Sequence, residues 1–231
     1  MAVGSLMRRV LVLGENAESI LPLVRERGLE PVREDPDVVL TWGGDGLLLR
    51  SEAAWPGVPK LPLRNSRHGI KCQPHQVPEA LDLLMANRLV AARHFKVRAE
   101  INGRVKIGLN EITIHNAKPT SAVRFRISVN DEDPGKELVG DGLVVATPFG
   151  STAYYRTITR GSFREGLGLA FNNSIEPVDH TVLPESAVIR VAITRGPALV
   201  TADNQPDDVP VDDGDEILIR RDAGEAVILG P

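Results

Sequence analysis

The stretch Thr41-Trp42-Gly43-Gly44-Asp45-Gly46-Leu47-Leu48-Leu49-Arg50 places one carboxylate among three glycines. An apolar run, Val38-Val39-Leu40, precedes it and a helix-like run follows it. This order predicts a buried strand that ends at the glycines and a helix that starts just after them. Ligands of open parallel sheets bind at the carboxyl ends of the strands, so Asp45 stands where a polar substrate could meet a carboxylate. The alternative is that Asp45 only caps a glycine-rich turn.

The composition is that of a soluble globular protein, with 231 residues of which 42% are hydrophobic and 25% charged. A net charge of -4 and an aromatic content of 4% disfavour a protein that coats nucleic acid. The single cysteine, Cys72, excludes an intramolecular disulfide and offers no zinc cluster. The apolar run near the start is too short to span a membrane. We therefore expect a cytoplasmic protein with neither a membrane nor a nucleic acid as its partner.

Strand and helix signals alternate through the first part of the chain. Short apolar runs predict strands at 8–14, 37–42 and 60–65. Amphipathic patterns predict helices at 15–27, 47–54 and 78–88, the first of which is expected to begin near Pro22. Such alternation is typical of βαβ units with a Rossmann-like parallel sheet. We expect this α/β domain to cover residues 1–90 and to carry the Gly-Gly-Asp-Gly motif.

The remaining residues favour an all-β domain. The Asn102-Gly103 pair predicts a hairpin of strands 97–101 and 104–114, and alternating residues predict a strand at 123–129. Further strands are predicted at 143–146, 187–193, 198–202, 216–220 and 226–229, while the acidic stretch 203–215 is interpreted as exposed loop and turn. We expect an all-β sandwich over 91–231, with the last residues packing back on the first domain.

A second motif begins at Gly140-Asp141-Gly142. It continues through the predicted strand into the loop Thr147-Pro148-Phe149-Gly150-Ser151-Thr152-Ala153-Tyr154, which is rich in hydroxyl groups and small residues. Such a loop can donate several hydrogen bonds while it stays close to a flat ligand. The alternative is an ordinary Ser/Thr-rich turn after a strand.

A third motif, Asn110-Glu111, places an amide and a carboxylate inside a strand pattern. If the two side chains are buried they need partners, because a buried polar group without a hydrogen bond destabilises the fold. The alternative is that the side chains lie on opposite faces of a strand and one of them is solvated.

In this order the three motifs resemble those of the NAD kinase family, over most of the chain. The segment 64–70 resembles that family's Asn-x-Gly-x-x-Gly segment in weakened form, and Val182-Leu183-Pro184-Glu185-Ser186 resembles its Val-Leu-Pro-x-Ser segment. The resemblance implies an NAD kinase-like fold and transfer of a terminal phosphoryl group to the 2′-hydroxyl of the adenosine ribose of NAD. It also implies ATP or inorganic polyphosphate as donor, Mg²⁺ or another divalent metal, and a homo-oligomer, either a dimer or a tetramer.

The resemblance also implies a role for each residue that matches a motif. Asp45 would be the general base that faces the 2′-hydroxyl, and Gly44 and Gly46 would let the nucleotide and phosphates approach. Asn110 and Glu111 would bind the ribose and nicotinamide side of NAD, and Asp141 would help to hold it. Thr152, Ala153 and Tyr154 would line the adenine pocket.

The chain departs from the family pattern at several positions. Leu47 and Phe149 stand where the family usually has threonine, and Thr159-Arg160-Gly161-Ser162-Phe163 stands where it runs to Gly-Gly-Pro. Asp203-Asn204-Gln205 stands where Asp-Gly-Gln is expected. These departures concern the donor more than the dinucleotide. Arg160 could bind a phosphate, although a surface arginine is the simpler interpretation.

Two other functions stay open from the sequence. One is a kinase of the wider Gly-Gly-Asp-Gly superfamily that acts on a hydroxyl of a lipid or a sugar, although the second and third motifs argue against a lipid. The other is a non-catalytic protein that binds or senses a dinucleotide. The histidines lack the spacing of metal ligands and are expected to have structural or surface roles; they are His68, His75, His94, His115 and His180.

Overall fold

The computed structural model describes residues 7–65, 69, 71–72, 76–132, 135–176 and 180–231. Its contacts divide the chain into two compact units, Met1–His94 with Gly224–Pro231, and Phe95–Ala223. The sequence places this boundary near residue 90 and expects the last residues to return to the first domain. Among the described residues, no helix combines the length and the apolar character that crossing a membrane requires.

The first part of the chain alternates strands with helices. In chain order these are β1 (Arg9–Leu13), a 3₁₀ turn (Ala17–Ile20), α1 (Leu21–Glu26), β2 (Glu30–Pro31), β3 (Val38–Gly43), α2 (Asp45–Ala54), β4 (Lys60–Arg64) and α3 (Val77–Met85).

Mostly strands follow. They are β5 (Val90–Ile101), β6 (Arg104–Gly108), β7 (Glu111–Asn116), β8 (Val123–Val129), β9 (Leu138–Gly140), β10 (Gly142–Ala146), a 3₁₀ turn (Gly150–Thr152), α4 (Tyr154–Thr159), β11 (Leu167–Asn172), β12 (Thr181–Leu183), β13 (Ile189–Arg195), β14 (Ala198–Ala202), β15 (Val209–Val211) and β16 (Glu216–Gly230).

The first unit contains a parallel sheet. β1 pairs in parallel with β2 and β3, β3 pairs in parallel with β4, and the end of β16 joins β4 at Ile228. The run Val38-Val39-Leu40 is fully buried, as expected for a strand with both faces covered. One apolar core includes Val10 of β1, Val24 of α1 and Leu81 of α3. The predicted Rossmann-like sheet is confirmed.

The first predicted helix is shorter than expected. Instead of one helix over 15–27, a 3₁₀ turn ends at Ile20 and α1 covers only Leu21–Glu26, with Pro22 in its first turn. Proline has no N–H and its ring conflicts with the preceding turn of a helix, so it favours a helix start rather than a helix interior.

The second unit is a β-sandwich. Within the described residues one sheet has the order β12-β11-β10-β7-β14-β15, and the other includes β16-β13-β8-β9. Side chains from both sheets share one buried core, for example Ile114 and Val145 from one sheet with Phe125 and Val191 from the other. The predicted sandwich is confirmed, with the addition of the short helix α4.

Several predicted strands need correction. The strand expected over 104–114 is interrupted at 109–110, between β6 and β7. The strands expected at 216–220 and 226–229 are one strand, β16, in which the charged residues are accommodated because Arg220 pairs with Glu100 (2.8 Å) and Arg98 with Asp222 (3.5 Å). The acidic stretch contains β15, whose Val209 and Val211 are buried.

Candidate active site

Asp45 lies at the start of α2, directly after the carboxyl end of β3. The N-cap position belongs to Gly44, so Asp45 is not the capping residue that one interpretation of the sequence expects. Its half-buried carboxylate instead accepts hydrogen bonds at Oδ1 from the backbone N–H groups of Lys71 (3.0 Å) and Cys72 (3.1 Å). A second segment of the same unit therefore fixes the orientation of this carboxylate.

The Cys72 thiol is a further donor to Asp45. Cys72 is buried, and burial together with the charge and hydrogen bond of Asp45 raises its pKa to about 12. The thiol therefore keeps its proton at neutral pH and donates it to the carboxylate. Sequence reasoning gave Cys72 no role, because a lone cysteine has no spacing pattern that would reveal one.

Leu47, which stands where the family has threonine, packs against Gly43. A Cβ placed on Gly43 would lie 2.8 Å from Leu47 Cδ2 and 3.3 Å from Leu47 Cβ. The first glycine of the motif therefore leaves room for the leucine side chain. Gly44 is the N-cap of α2 and Gly46 is the second residue of that helix.

Asn110 and Glu111 are both buried, so the interpretation with one solvated side chain is wrong. Asn110 lies in the bend that interrupts the predicted strand, and Glu111 opens β7. Asn110 Oδ1 is a buried acceptor that has no hydrogen-bond partner among the described residues. Buried polar atoms are nearly always satisfied, so this oxygen requires a donor that the described residues do not supply.

The loop of the second motif lies directly on Asn110. The Thr147 N–H donates to the Asn110 carbonyl (2.8 Å), and the Thr147 hydroxyl donates to the Leu109 carbonyl (2.6 Å). A Cβ on Gly150 would lie 2.0 Å from the backbone carbonyl oxygen of Asn110, so only glycine allows the loop to approach so closely. The fold thus brings two motifs together that are distant in the sequence.

The loop is also more ordered than the sequence suggests, because it includes the 3₁₀ turn Gly150–Thr152 and ends at the first residue of α4. The Ser151 hydroxyl donates to the Pro148 and Phe163 carbonyls, at 2.8 and 2.9 Å. These bonds hold the turn that presents Thr152 and Ala153.

Asp141 is held by two asparagines. Its carboxylate accepts hydrogen bonds from Nδ2 of Asn116 (3.3 Å) and of Asn173 (2.6 Å). The next residue, Gly142, has a φ of 139°, and a Cβ there would lie 1.9 Å from the Ile114 carbonyl oxygen. Glycine is therefore required at this position, which fixes the place of Asp141 beside β7.

Tyr154 is influenced by two acids at opposite ends of the β7–β10 strand pair, Asp141 beside Asn116 and Glu111 opposite Ala146. Its hydroxyl accepts a hydrogen bond from Asn172 Nδ2 (3.0 Å). Burial raises the pKa of Tyr154, and the negative charges of Asp141 and Glu111 raise it further. The structure therefore brings the Asn110 turn and the loop of the second motif into contact, and the charges of Asp141 and Glu111 act on Tyr154 at the end of that loop.

Thr152 and Ala153 line a surface recess of about 320 Å³. Arg156, Thr157 and Arg160 line the same recess. Arg160 is an exposed residue at the C-terminal end of α4, in the left-handed conformation with a φ of 63°. Both interpretations of Arg160, as a phosphate ligand or as a surface residue, remain compatible with this position.

The described histidines lie at three separate places in the chain, His94, His115 and His180. The described part of the chain has no group of three or more His, Cys, Asp or Glu side chains that could hold a metal ion. The pKa of His94 is lowered by burial and by the positive charge of Lys71. The His180 ring packs edge-on against Tyr155 at 5.9 Å. His68 and His75, and with them residues 66–68 and 70 of the weaker motif 64–70, lie outside the described residues.

Comparison with known proteins identifies the family. The ATP-NAD kinase C-terminal domain family matches residues 109–164. The NAD kinase of Sulfurisphaera tokodaii is 31% identical over 185 residues, which cover 78% of this chain and 73% of that protein. The chain belongs to the NAD kinase family. Another NAD kinase, from Methanothermobacter thermautotrophicus, is 32% identical over 138 residues, 58% of this chain and 48% of its own length.

Solved structures share the NAD kinase fold. A yeast NADH kinase complexed with NADH matches with a TM-score of 0.84 at 15% identity and covers 99% of this chain and 84% of that one. An NAD kinase from Archaeoglobus fulgidus in complex with ATP matches with a TM-score of 0.80 at 22% identity and covers 96% of this chain and 93% of that one. The resemblance seen in the three motifs is thereby confirmed, together with the NAD kinase-like fold.

Proposed function

We propose that this chain phosphorylates the 2′-hydroxyl of the adenosine ribose of NAD and so produces NADP. Membership of the NAD kinase family supports this activity. The observation that supports it is the contact between two of the motifs, in which Thr147 donates to the Leu109 and Asn110 carbonyls and Gly150 lies against the Asn110 backbone. Asn110, Glu111, Asp141 and Tyr154 each match the motif position from which their role is carried over.

These four residues have the chemistry of a site for a ribose and an adenine ring. Carboxylates such as Glu111 and Asp141 accept hydrogen bonds from ribose hydroxyls. The buried Asn110 Oδ1 offers one more acceptor. Tyr154 provides an aromatic ring, and Thr152 and Ala153 directly precede it in the chain, so these three residues can border an adenine ring.

Asp45 is proposed as the general base. Its carboxylate would accept the proton of the 2′-hydroxyl while the ribose oxygen forms its bond to the terminal phosphorus of the donor. The bond between that phosphorus and the bridging oxygen of the donor then breaks, and the shortened donor leaves. The hydrogen bonds from Lys71, Cys72 and the Cys72 thiol support this role because they hold the carboxylate in one orientation.

The donor is proposed to be ATP or inorganic polyphosphate, carried with Mg²⁺ or another divalent metal. A divalent ion neutralises the charge of the transferred phosphoryl group, and Mg²⁺ is bound largely by phosphates and waters with one or two carboxylates. Within the Gly-Gly-Asp-Gly motif, Asp45 supplies a carboxylate that could bind this divalent ion.

Three further expectations belong to this proposal. We infer a cytoplasmic location, a homo-oligomer that is a dimer or a tetramer, and small-molecule nucleotides, rather than nucleic acids or membranes, as partners. The location rests on the cysteine content and the oligomer on the family resemblance.

One experiment separates this function from its alternatives. Purified protein with Mg²⁺ is incubated with NAD and either ATP or polyphosphate, and NADP is measured. We expect NADP with at least one donor. NAD binding by calorimetry without product from either donor would favour the dinucleotide-sensing alternative, to which the apolar Leu47 points. Absence of both binding and product would favour a kinase of the wider superfamily with another acceptor.

A further inference from the structure

A carboxylate from the acidic stretch anchors the turn that carries Asn110 and Glu111. Asp203 Oδ2 accepts a hydrogen bond from the Leu109 N–H (2.8 Å), and Oδ1 accepts from the N–H groups of Asn110 (2.7 Å) and Glu111 (3.2 Å). The Asp203 N–H in turn donates to the Glu111 carbonyl (3.1 Å). Both backbone polar groups of Glu111 are thus bonded to one residue.

The residues after Asp203 hold the neighbouring strand. Gln205 Nε2 donates to the Ile107 carbonyl (2.7 Å). The buried Lys106 ammonium donates to the Asp207 carboxylate (2.5 Å) and to the Asp207 carbonyl (3.1 Å). Residues 203–207 therefore bind residues 106–111 at several points, although Asn204, Pro206 and Asp207 are exposed as the sequence predicts.

The local backbone explains why a carboxylate is needed here. Three successive N–H groups that point to one place form a site for an anion, since a strand ladder cannot satisfy all of them. Hydrogen bonds to a charged acceptor are stronger than those between neutral groups. Gly108 leaves the space, because a Cβ there would lie 2.4 Å from the Glu111 oxygen and 3.0 Å from Asp203 Oδ1.

The turn is held from a second direction by the loop of the second motif, where Thr147 and Gly150 contact the Leu109 and Asn110 backbone. Its position between these two supports determines where the Asn110 and Glu111 side chains point. Removal of the anion would leave three backbone donors without their acceptor and would allow the turn to shift.

We propose that Asp203 is a positioning residue for NAD, which sets the binding geometry of Asn110 and Glu111 through the backbone of their turn. The inference rests on the proposed function, because it assumes that these two side chains contact NAD. It predicts that the loss of Asp203 weakens NAD binding and leaves the use of the phosphoryl donor unchanged.

The test is the Asp203→Asn variant of the full chain. Asparagine keeps the side-chain size and one acceptor oxygen, but its NH₂ group then faces a backbone N–H group that needs an acceptor. We expect the KM for NAD to rise about tenfold, as for the loss of one charge-assisted hydrogen bond. The KM for ATP and kcat should stay within about twofold of wild type. An unchanged KM for NAD in a folded variant would overturn the inference.

Asp37→Asn is the matched control. The Asp37 carboxylate also accepts two successive backbone N–H bonds, from Arg8 (2.9 Å) and Arg9 (2.8 Å), but in the first unit and outside the proposed site. This variant should lower the melting temperature without any change in the KM for NAD. An equal rise in that KM for both variants would assign Asp203 a merely structural role.

A second variant, Gly108→Ala, disturbs the same turn without a change in charge. We expect it to raise the KM for NAD in the same way, and the double variant to be less than additive because both changes act on one turn. If neither variant folds, or if Gly108→Ala alters the KM for ATP equally, the positioning role is wrong. If wild type makes no NADP, the proposed function fails, and calorimetry with NAD still shows whether Asp203→Asn weakens binding.

Discussion

Tyr154 shows how one side chain depends on neighbours from three separate segments. Asn172 donates to its hydroxyl, while burial and the charges of Asp141 and Glu111 raise the pKa of the phenol. The phenol therefore stays neutral throughout the physiological pH range, and its ring is the part that is available for an adenine base.

Two substitutions separate the ring of Tyr154 from its hydroxyl. Tyr154→Phe removes only the bond from Asn172, so we expect the KM for NAD to change by less than about threefold. Tyr154→Ala removes the aromatic surface and should raise this KM about tenfold, the usual scale of base stacking. Steady-state kinetics with NAD as the varied substrate measures both. Equal effects of the two variants would mean that the ring does not bind the base.

Asp141 and Asp203 differ in how much of their role the sequence could reveal. Asp141 lies between two glycines, and the required glycine at 142 makes the motif visible. Asp203 stands in the Asp203-Asn204-Gln205 segment that partly matches the family pattern, but this match does not reveal its partners at 109–111, which are more than ninety residues away along the chain. The burial of Asn110 and Glu111 required an acceptor for their backbone, but no local pattern could indicate which residue supplies it.

At the scale of elements, a buried ion pair ties helix α2, which begins with Asp45, to strand β4. Glu52 and Lys60 are both buried and form an ion pair. The Gly57 N–H donates to Glu52 Oε1 (3.1 Å), and Lys60 Nζ donates to the Val58 carbonyl (2.7 Å). The pair and these backbone bonds define the connection that follows the helix.

Removal of one partner of this ion pair should strongly lower the free energy of unfolding. Lys60→Met leaves the Glu52 carboxylate buried beside an apolar side chain, so we expect a loss of about 3–5 kcal/mol in the free energy of unfolding. The double variant Glu52→Gln/Lys60→Met should recover part of that loss. Urea unfolding measures both.

The Arg27–Asp82 pair (2.7 Å) serves as the comparison, because the Asp82 side chain is 65% exposed. Asp82→Asn should cost less than about 1 kcal/mol. A similar loss for Lys60→Met and Asp82→Asn would contradict the role given to the buried pair.

Strands with a clear apolar pattern were predictable from the sequence. A strand that contains glycine because neighbouring side chains pack over it was not. β3, β8 and β14 follow their apolar patterns, but β11 was missed. β11 contains Gly168, over which two aromatic rings lie, since a Cβ there would be 2.2 Å from Phe163 Cε1 and 2.7 Å from Tyr155 Cε2. Glycine weakens a strand pattern, and only the tertiary structure shows what occupies its place.

At the scale of the whole molecule, the single cysteine can report on folding. Cys72 is buried, and its pKa is raised from 9.0 to about 12. Only the thiolate reacts with alkylating reagents, so at pH 8 the native protein should react with iodoacetamide at least about a hundredfold more slowly than free cysteine. Labelling at full rate should appear only in denaturant.

The same pKa difference fixes a direction for stability at high pH. Between pH 9 and about 12 the native state keeps a proton that the unfolded chain releases, so Cys72 lowers the stability of the fold as the pH rises through this range. Below pH 9 both states hold the proton and no effect is expected. Native labelling at the rate of the unfolded chain at pH 8 would contradict the burial and protonation of this thiol.

Asp45 is proposed to take the proton of the NAD 2′-hydroxyl. The Asp45→Asn variant tests this central role most directly. The asparagine keeps an oxygen to accept from the Lys71 and Cys72 N–H groups, so the protein should fold with nearly the melting temperature of wild type. With NAD, ATP and Mg²⁺, we expect NADP formation to fall about 10²–10⁴-fold, while calorimetry shows NAD binding within about threefold of wild type. A folded Asp45→Asn enzyme that forms NADP within about threefold of the wild-type rate would contradict the claim.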